Sequence, residues 1–244
     1  MINIREKMHT ILTATAHPGL LRNYRKGIIP NTYCNLDQHW IHQLDIDTVL
    51  DIGANIGRFS VTASAAFPKA RIFGFEPLPH CFEQAKSLNA GNKNVEILNY
   101  GLGKRDETIE INANSFSPSS SFLPMTDSHT DAFPFTKSQE KLRVQVRRLD
   151  NVAPNLKLGR NMMVKIDVQG YEGDVISGGS ETIKAAKLIM AELSYEVLYA
   201  GQPLFAEVTS MLSNLGFKFV GTCAQMPHPK DGRFLDADCL FVKA

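Results

Sequence analysis

From residue 47 onward, the pattern of apolar and polar positions alternates between short apolar runs and longer amphipathic segments. Residues 48–52 form an apolar run that ends at a glycine, which is typical of a buried parallel strand. An alanine-rich segment over 56–66 predicts a helix that stops before a proline. A second strand over 71–75 and a second helix over 79–88 follow. Such repeated strand–helix units predict a mostly parallel sheet with right-handed crossovers.

The order changes after a third predicted strand at 95–99. Segments 108–112 and 142–147 alternate with period two, as half-exposed antiparallel strands do. The Ser-, Pro- and Phe-rich stretch 115–136 between them is long for a linker inside a compact domain, which indicates a functional or mobile segment. Alternation then resumes, with predicted strands at 162–168, 188–193, 217–221 and 239–242 and predicted helices at 172–185 and 203–215.

These elements predict an α/β fold with a doubly wound, mostly parallel sheet. The last two strands are close enough in sequence to form an antiparallel hairpin at one edge, and the insertion adds further antiparallel strands. Residues 1–45 lack the pattern and predict an N-terminal helical extension, which leaves 46–244 as the main domain. A hydrophobic fraction of 43% is ample for a sizeable core.

Charge and cysteine usage exclude several classes of protein. The 26 basic and 25 acidic residues give a net charge of +1, which offers no electrostatic reason to expect nucleic-acid binding. No C-x-x-C pattern signals a zinc or redox site, so the cysteines are expected to act as small core residues; they are Cys34, Cys81, Cys223 and Cys239. The N-terminus lacks the pattern of a secretory signal, and no apolar run reaches the ~20 residues that span a bilayer. We therefore expect a cytoplasmic protein without a membrane span.

The sharpest local motif is the glycine turn between the first strand and the first helix. Gly53 allows a tight turn and close approach of a ligand, and Gly57 allows the helix to pack closely on the strand. The spacing Gly-x-Asn-x-Gly, with Asn55 at its centre, differs from the Gly-x-Gly-x-x-Gly of dinucleotide sites. Asp51 before the turn would repel a pyrophosphate but suits an ammonium group. The motif predicts that Asp51, Gly53, Asn55 and Gly57 bind a cofactor other than a dinucleotide.

A second part of the same site is predicted at the end of the second strand. Glu76 follows the glycine turn by about 20 residues, where an acid binds ribose hydroxyls. Pro77 comes next and is placed to flank an adenine. A turn glycine or a strand-end acid is ordinary on its own, but in this order and at this separation they predict a nucleoside cofactor.

Three motifs together resemble the FkbM methyltransferases: the turn from Asp51 to Gly57, Phe75-Glu76-Pro77, and the run VKIDVQGYE over 164–172. The resemblance covers roughly residues 46–195. It implies a Rossmann-like class I methyltransferase fold with a seven-stranded sheet and S-adenosylmethionine as cofactor. It also implies transfer of a methyl group to a hydroxyl of a small molecule, natural-product scaffold or glycan. The family commonly has glutamate where Gln169 stands in this chain.

The predicted catalytic groups lie at the carboxyl ends of later strands, where ligands bind in such sheets. We predict Asp167 as the base or substrate-orienting acid, with Glu192 as the second candidate. Gly170 allows a substrate to approach the backbone. Glu172 is either a substrate contact or an acid that favours the dipole of the helix it opens. Strand alternation is taken to place Lys165 on the opposite face.

The 115–136 stretch is the predicted lid or substrate loop. FkbM methyltransferases carry a serine pair here, which Ser120 and Ser121 match, so the resemblance implies substrate contacts for both. His129 either reaches the site or is an exposed, inert loop histidine. Mg²⁺ held by Asp167 and Glu192 is chemically reasonable. No spacing of His and Asp supports it, so no metal site is predicted.

Two other functions stay open from the sequence. The first is a Rossmann-like module that holds a nucleotide without catalysis. The second is a methyltransferase that acts on RNA or protein, against which the near-neutral charge argues. A small-molecule or glycan acceptor is the favoured reading, and neither the acceptor nor the oligomeric state is encoded in a readable pattern.

Overall fold

The structure, a computed structural model, describes residues 19–20, 26–114 and 116–244. The strands of the described residues are β1 (Thr48–Ile52), β2 (Arg71–Phe75), β3 (Val95–Leu98), β4 (Gly101–Leu102), β5 (Glu107–Asn114), β6 (Gln139–Arg147), β7 (Met162–Ile166), β8 (Leu188–Ser194), β9 (Phe217–Pro227) and β10 (Phe234–Lys243). The α-helices are α1 (Pro30–Leu36), α2 (His39–His42), α3 (Arg58–Ala66), α4 (Pro79–Asn89), α5 (Asp127–Ala132), α6 (Leu149–Val152), α7 (Glu172–Gly178), α8 (Ser180–Lys184) and α9 (Phe205–Asn214).

Seven strands form the main sheet, in the order β3-β2-β1-β7-β8-β10-β9. Neighbours from β3 to β8 are parallel, whereas β10 runs antiparallel to both β8 and β9. A second sheet in the order β4-β6-β5 contains the insertion, and its β5–β6 pair is antiparallel. The predicted doubly wound sheet with an edge hairpin and extra antiparallel strands is confirmed. The chain order reverses between β1 and β7, which is where ligands bind in open α/β sheets.

The core lies on both faces of the central strands because these strands are apolar at every position but one or two. Leu50 and Ile52 of β1 belong to the cluster on one face, and Val49 belongs to the cluster on the other. All five residues of β1 and all five of β7 are buried. Full burial of continuous apolar strands is what a parallel sheet covered by helices requires.

Two predicted helices differ from the observed ones for reasons of backbone geometry. Helix α3 begins at Arg58 rather than at residue 56, because the glycine turn keeps a left-handed backbone through Gly57. The helix predicted over 172–185 is two short helices that meet at Gly179, whose backbone is not helical. At the preceding Gly178, an added Cβ would lie 1.8 Å from the Gly103 carbonyl oxygen, so close packing fixes this break.

The long predicted linker is more ordered than its composition indicated. It contains helix α5 and short 3₁₀ turns at Ser117–Ser119 and Pro134–Thr136. Its Ala132 packs into a buried cluster with Leu198, Tyr199 and Leu235. We call residues 116–136 the acceptor loop after the role predicted for this stretch, and the loop starts at 116 because Ser115 lies outside the described residues. The two final strands are also longer than predicted, because they pair with each other beyond the main sheet.

Residues of the predicted N-terminal extension pack onto the sheet. Leu36 and Ile41 are fully buried in the same cluster as Val49 and Phe59. Residues 1–18 and 21–25 of that extension lie outside the described residues, and the predicted boundary at residue 46 stays a prediction. Among the helices described, none combines the length and the apolar character that crossing a bilayer would require.

Candidate functional site

A cavity of about 620 Å³ opens at the carboxyl ends of β1, β2, β7 and β8. This volume lies within the range of roughly 300–1,000 Å³ that is usual for small-molecule sites. Residues from nearly the whole chain form its wall, from Ile29 and Thr32 near the N-terminus to Asp238 on β10. The crevice rule for α/β sheets thus predicts the place where the cavity is found.

The turn after β1 forms one end of the cavity and has an unusual backbone. Gly53, Asn55 and Gly57 all have positive φ, at 81°, 49° and 81°. The amides of Gly53 and Ala54 both donate to the Phe75 carbonyl oxygen, which ties the turn to the end of β2. Gly57 does not line the cavity. An added Cβ there would lie 2.6 Å from Asn89 Nδ2, so this glycine packs α3 against α4 rather than against a strand as predicted.

Replacing Gly53 with alanine is expected to disrupt this end of the site. The new Cβ would lie 1.9 Å from the Asp167 carbonyl oxygen, and its backbone has φ +81°. Gly201 is a matched control, because it has φ +80° and no atom within 4 Å of an added Cβ. We expect Gly201→Ala to lower the free energy of unfolding by about 1–2 kcal/mol. Gly53→Ala should cost at least about 1 kcal/mol more, measured by urea unfolding. Equal losses would contradict the close contact.

Glu76 closes β2 and faces the turn. Its Oε2 accepts from the Asn55 amide at 2.7 Å, and its Oε1 accepts from the Leu78 amide at 2.8 Å. The side chain is only 5% exposed, and this burial raises the pKa of Glu76 to about 7 against the opposing effect of the two amides. Since a carboxylate has about four acceptor sites, each oxygen keeps one for a ligand hydroxyl.

Lys165 lies on the same face as Asp51 and Asp167, so the predicted opposite placement is wrong. Its Nζ donates to the Gly53 carbonyl at 3.0 Å and lies 3.4 Å from Asp51 Oδ1 and 3.2 Å from Asp167 Oδ2. Lys165 and Asp167 are two positions apart, and residues two apart on a strand share a face. Burial lowers the pKa of Lys165, but the charges of Asp167 and Asp51 outweigh it and raise the pKa above its usual value.

Asp51 is fully buried behind the cavity wall. Its Oδ2 accepts a hydrogen bond from the Ser60 hydroxyl at 2.7 Å. Its Oδ1 has no hydrogen-bond partner and is paired only electrostatically, with Lys165 Nζ. Lys165 therefore lies between Asp51 and the cavity, where it blocks the direct contact with a ligand ammonium that the sequence predicted. The geometry instead makes Asp51 the counter-charge that keeps Lys165 at the cavity wall.

Asp167 and Glu192, the two predicted catalytic acids, both line the cavity. Burial raises the pKa of Asp167, but the charge of Lys165 and hydrogen bonds from Gln169 and Glu192 bring it below its usual value. The pKa of Glu192 is raised well above its usual value by burial first and then by nearby acids, of which Asp167 is the foremost. The two shifts run in opposite directions, so Asp167 is the acid of the pair that ionises more readily.

A third acid, Asp238, completes this end of the cavity. It lies directly opposite Glu192 across the β8–β10 pair. Burial and the charge of Asp167 raise the pKa of Asp238 to about 6. The alternation of Asp236 and Asp238 on one strand was readable from the sequence, but the antiparallel pairing that brings them to Glu192 was not.

The other predicted substrate residues divide into two groups. Ser120 and Ser121 line the cavity, and the Ser121 hydroxyl donates to the Gln169 carbonyl at 2.6 Å. Gly170 and Glu172 lie behind the wall. Glu172 is 4% exposed, and its Oε1 accepts from the amides of Val168 and Gly170, so it braces the loop after β7.

The cavity therefore brings together most of the residues singled out from the sequence, namely Gly53, Asn55, Glu76, Pro77, Ser120, Ser121, Asp167 and Glu192. The lining residues to which sequence reasoning gave no role in the site include Gln169, Lys165, Asp238 and the N-terminal Ile29 and Thr32. Within the described ranges, no three His, Cys, Asp or Glu side chains are grouped to hold a metal ion.

His129 is buried rather than exposed, with 3% of its surface accessible. It does not line the cavity, but its Nε2 lies 3.2 Å from the Tyr199 hydroxyl, which in turn donates to Gln169 Oε1 at 2.8 Å. Its connection to the site is thus indirect, through two side chains that no local sequence pattern links.

Comparison with protein families gives one match over most of the chain. The family profile described as the methyltransferase FkbM domain matches residues 51–219. The 2-O-methyltransferase NoeI of Sinorhizobium fredii is 26% identical over 193 residues, which is 77% of each chain. The hexuronic acid methyltransferase AglP of Haloferax volcanii is 25% identical over 148 residues, which is 60% of this chain and 56% of that protein.

A solved structure shares the fold. The methyltransferase FkbM from Methylobacillus flagellatus superposes with a TM-score of 0.50 at 13% sequence identity, over 85% of this chain. The match spans about half of the longer protein, 47% of its length.

Proposed function

Because this chain belongs to the FkbM methyltransferase family, we propose that it transfers the methyl group of S-adenosylmethionine to a hydroxyl oxygen of a small-molecule or glycan acceptor. The observation that carries the proposal is one cavity with two distinct ends. At one end, Glu76 keeps free acceptor sites beside the glycine turn. At the other end, an ionised Asp167 lies beside Lys165. The first suits a nucleoside, and the second suits a hydroxyl that must lose a proton.

The residues present fit S-adenosylmethionine. Glu76 offers one acceptor site on each oxygen, which matches two neighbouring ribose hydroxyls. Pro77, Leu78 and Leu102 provide an apolar wall next to Glu76 for an adenine. Lys165 is a buried cation at the cavity wall, suited to a carboxylate of the methionine part. We propose that Asn55 and Gly53 contact the cofactor through the turn, and that Asp51 and Gly57 act by holding Lys165 and helix α3 in place.

The cofactor, when bound, supplies an electrophilic methyl group. Asp167 accepts the proton of the acceptor hydroxyl as the oxygen–carbon bond forms and the carbon–sulfur bond breaks. Lys165 keeps Asp167 ionised for this role, and Glu192 is placed to orient the acceptor oxygen. Ser120 and Ser121 are placed to position the rest of the acceptor, since both line the cavity. Positioning of this kind accounts for a large share of catalysis in such displacements.

The charge of the cavity favours acceptors without a negative charge. Asp167, Glu192 and Asp238 all line its acceptor end, and the positive charge of Lys165 is shared among Asp51, Asp167 and the proposed carboxylate of the cofactor. An anionic acceptor would lie close to these acids in a site of low dielectric, where like charges repel strongly. We therefore propose a neutral or amino-bearing polyol, such as a hexose or amino-sugar unit, rather than a uronic acid.

Two measurements test this function. Isothermal titration should show binding of S-adenosylmethionine and S-adenosylhomocysteine and no comparable binding of NAD. Transfer from labelled S-adenosylmethionine should then be followed with matched methyl glycosides of glucose, glucosamine and glucuronic acid. We expect the neutral and amino sugars to be methylated faster than the uronate. Tight NAD binding without a response to S-adenosylhomocysteine would refute the methyltransferase role, and a preference for the uronate would refute the acceptor class.

Replacing Glu76 with glutamine is expected to weaken cofactor binding about 10-fold to 100-fold, because the amide keeps only one acceptor oxygen. The wild-type dissociation constant should also rise as the pH falls from 8 to 6. The reason is that the Glu76 carboxyl, with a pKa of about 7, becomes protonated over that range and loses acceptor capacity. Titration calorimetry at several pH values measures both effects.

The exposed Glu96 on β3 provides the control for this substitution. Glu96→Gln should leave both the affinity and its pH dependence unchanged. A Glu76→Gln variant that binds S-adenosylhomocysteine as tightly as the wild type would remove Glu76 from the cofactor site.

A further inference from the structure

The Gln169 side chain lies between the two catalytic acids and joins them. Its Nε2 donates to Asp167 Oδ1 at 3.0 Å and to Glu192 Oε2. Its Oε1 accepts from the Tyr199 hydroxyl at 2.8 Å. The backbone is equally restrained, because Gln169 has φ +54° and its carbonyl accepts from Ser121. Both protons of the amide nitrogen are thus used on carboxyl groups.

A chain of hydrogen bonds fixes the orientation of this amide. The Tyr199 hydroxyl gives its proton to Gln169, so its oxygen accepts from His129 Nε2 at 3.2 Å. His129 Nδ1 lies 3.3 Å from Thr136 Oγ1, and the Thr136 hydroxyl donates its proton to the Phe133 carbonyl at 2.7 Å. Burial lowers the pKa of His129, which favours the neutral ring. A flipped amide would set its oxygen against the two carboxyl groups and its NH₂ group against the Tyr199 proton.

We propose that Gln169 is a positioning residue that clamps Asp167 and Glu192 together and stabilises the ionised form of Asp167, and that Tyr199 and His129 hold Gln169 in the orientation this requires. The inference rests on the proposed function only in giving Asp167 the role of base. An amide is suited to this position because it donates two hydrogen bonds without adding a charge. A carboxylate there would place a third acid beside the pair, and an apolar side chain would remove the hydrogen bond from Nε2 to Asp167 Oδ1.

The same chain connects the acids to the acceptor loop. Thr136 and His129 belong to that loop, and Ser121, also in the loop, bonds the Gln169 backbone. A loop that is seated on the domain thus sets the orientation of Gln169, and through it the geometry of the acids. The titratable and charged groups that face the pair from the surrounding elements are Lys165, Glu172, Tyr199, Asp236 and Asp238.

The test is a titration of the full-length chain, with ¹³C-labelled side-chain carboxyl groups followed by NMR. The resonance of Asp167 is identified by its loss in Asp167→Asn. In Gln169→Met, which keeps the length of the side chain, we expect the apparent pKa of Asp167 to rise by about one unit or more, because two hydrogen bonds to the pair are lost. Tyr199→Phe should give a smaller rise in the same direction. Gln145→Met, at an exposed position of β6, should give none.

An unchanged Asp167 titration in Gln169→Met would overturn the proposal. If that variant does not fold, Tyr199→Phe decides, and an unchanged titration there overturns it equally. Because the titration needs neither cofactor nor acceptor, it stands apart from the proposed function. In the methyl-transfer assay, Gln169→Met and Tyr199→Phe should lower kcat and shift its pH profile to higher pH. The dissociation constant of S-adenosylhomocysteine should stay unchanged in both variants.

Discussion

Replacing Asp167 with asparagine is expected to lower kcat for methyl transfer by about 100-fold to 10,000-fold, which is the usual contribution of a positioned general base. Asparagine has nearly the same shape but cannot take the proton of the acceptor hydroxyl. Asp167 is preferred to Glu192 for this role because Lys165 contacts Asp167, 31% of whose side chain is exposed, whereas burial and neighbouring acids raise the pKa of Glu192 well above its usual value. Affinity for S-adenosylhomocysteine should change little, since the predicted ribose contact lies at the other end of the cavity.

The assay should use whichever acceptor the glycoside series identifies, with calorimetry to follow cofactor binding separately. Asp131→Asn, at an exposed position of the acceptor loop, is the matched control and should keep the wild-type rate. If Asp167→Asn keeps its turnover while Glu192→Gln loses it, Glu192 is the base and Asp167 is not.

Replacing Lys165 with methionine is expected to lower the free energy of unfolding by about 3–5 kcal/mol at pH 7. The substitution keeps most of the volume but removes the positive charge that lies between Asp51 and Asp167. Asp51 suffers most, because it is fully buried and its Oδ1 has no other partner. Urea unfolding at equilibrium measures the loss. Lys218→Met, at an exposed position of β9, should cost well under 1 kcal/mol.

The pH dependence of this loss gives a second check. Without Lys165, burial should hold the pKa of Asp167 higher in the folded state than in the unfolded state. Ionisation then opposes folding, so the loss should be smallest at acid pH and grow as the pH rises. The double variant Asp51→Asn, Lys165→Met should recover part of the stability, since it removes a buried charge that would have no partner. A loss below about 1 kcal/mol that does not change with pH would show that the ion pair has no structural importance.

The parallel half of the fold could be predicted because its signals are local. The apolar run of β1, the glycine turn and the proline at the start of α4 each determine an element within a few residues. The predicted boundaries of β2 agree with the observed Arg71–Phe75. The break at Gly179 could not be predicted, because it depends on a contact between Gly178 and Gly103, about 75 residues apart by difference of number.

The site shows the same limit. Glu76 and Asp167 could be selected because each follows a buried strand at the edge where ligands bind. The partners that control them were not selected. The contact of Lys165 with Asp167 could have been predicted, since period-two alternation places both side chains on one face. Tyr199 and His129 instead act on the acids through Gln169, by hydrogen bonds between residues 30 and 70 positions apart. Tertiary hydrogen bonds of this kind leave no periodic trace in a sequence.

The wall of the cavity takes side chains from residue 29 to residue 238, and this spread has a consequence for biosynthesis. Asp238 lies on β10, which inserts between β8 and β9 and emerges from the ribosome after both. Until that strand arrives, β8 has an open edge and the acids at its end are incomplete. Contacts between residues so distant in sequence also form slowly. A nascent chain should therefore gain no stability from the ligand until translation has passed this strand. A stall before it would leave an aggregation-prone intermediate that does not bind the ligand.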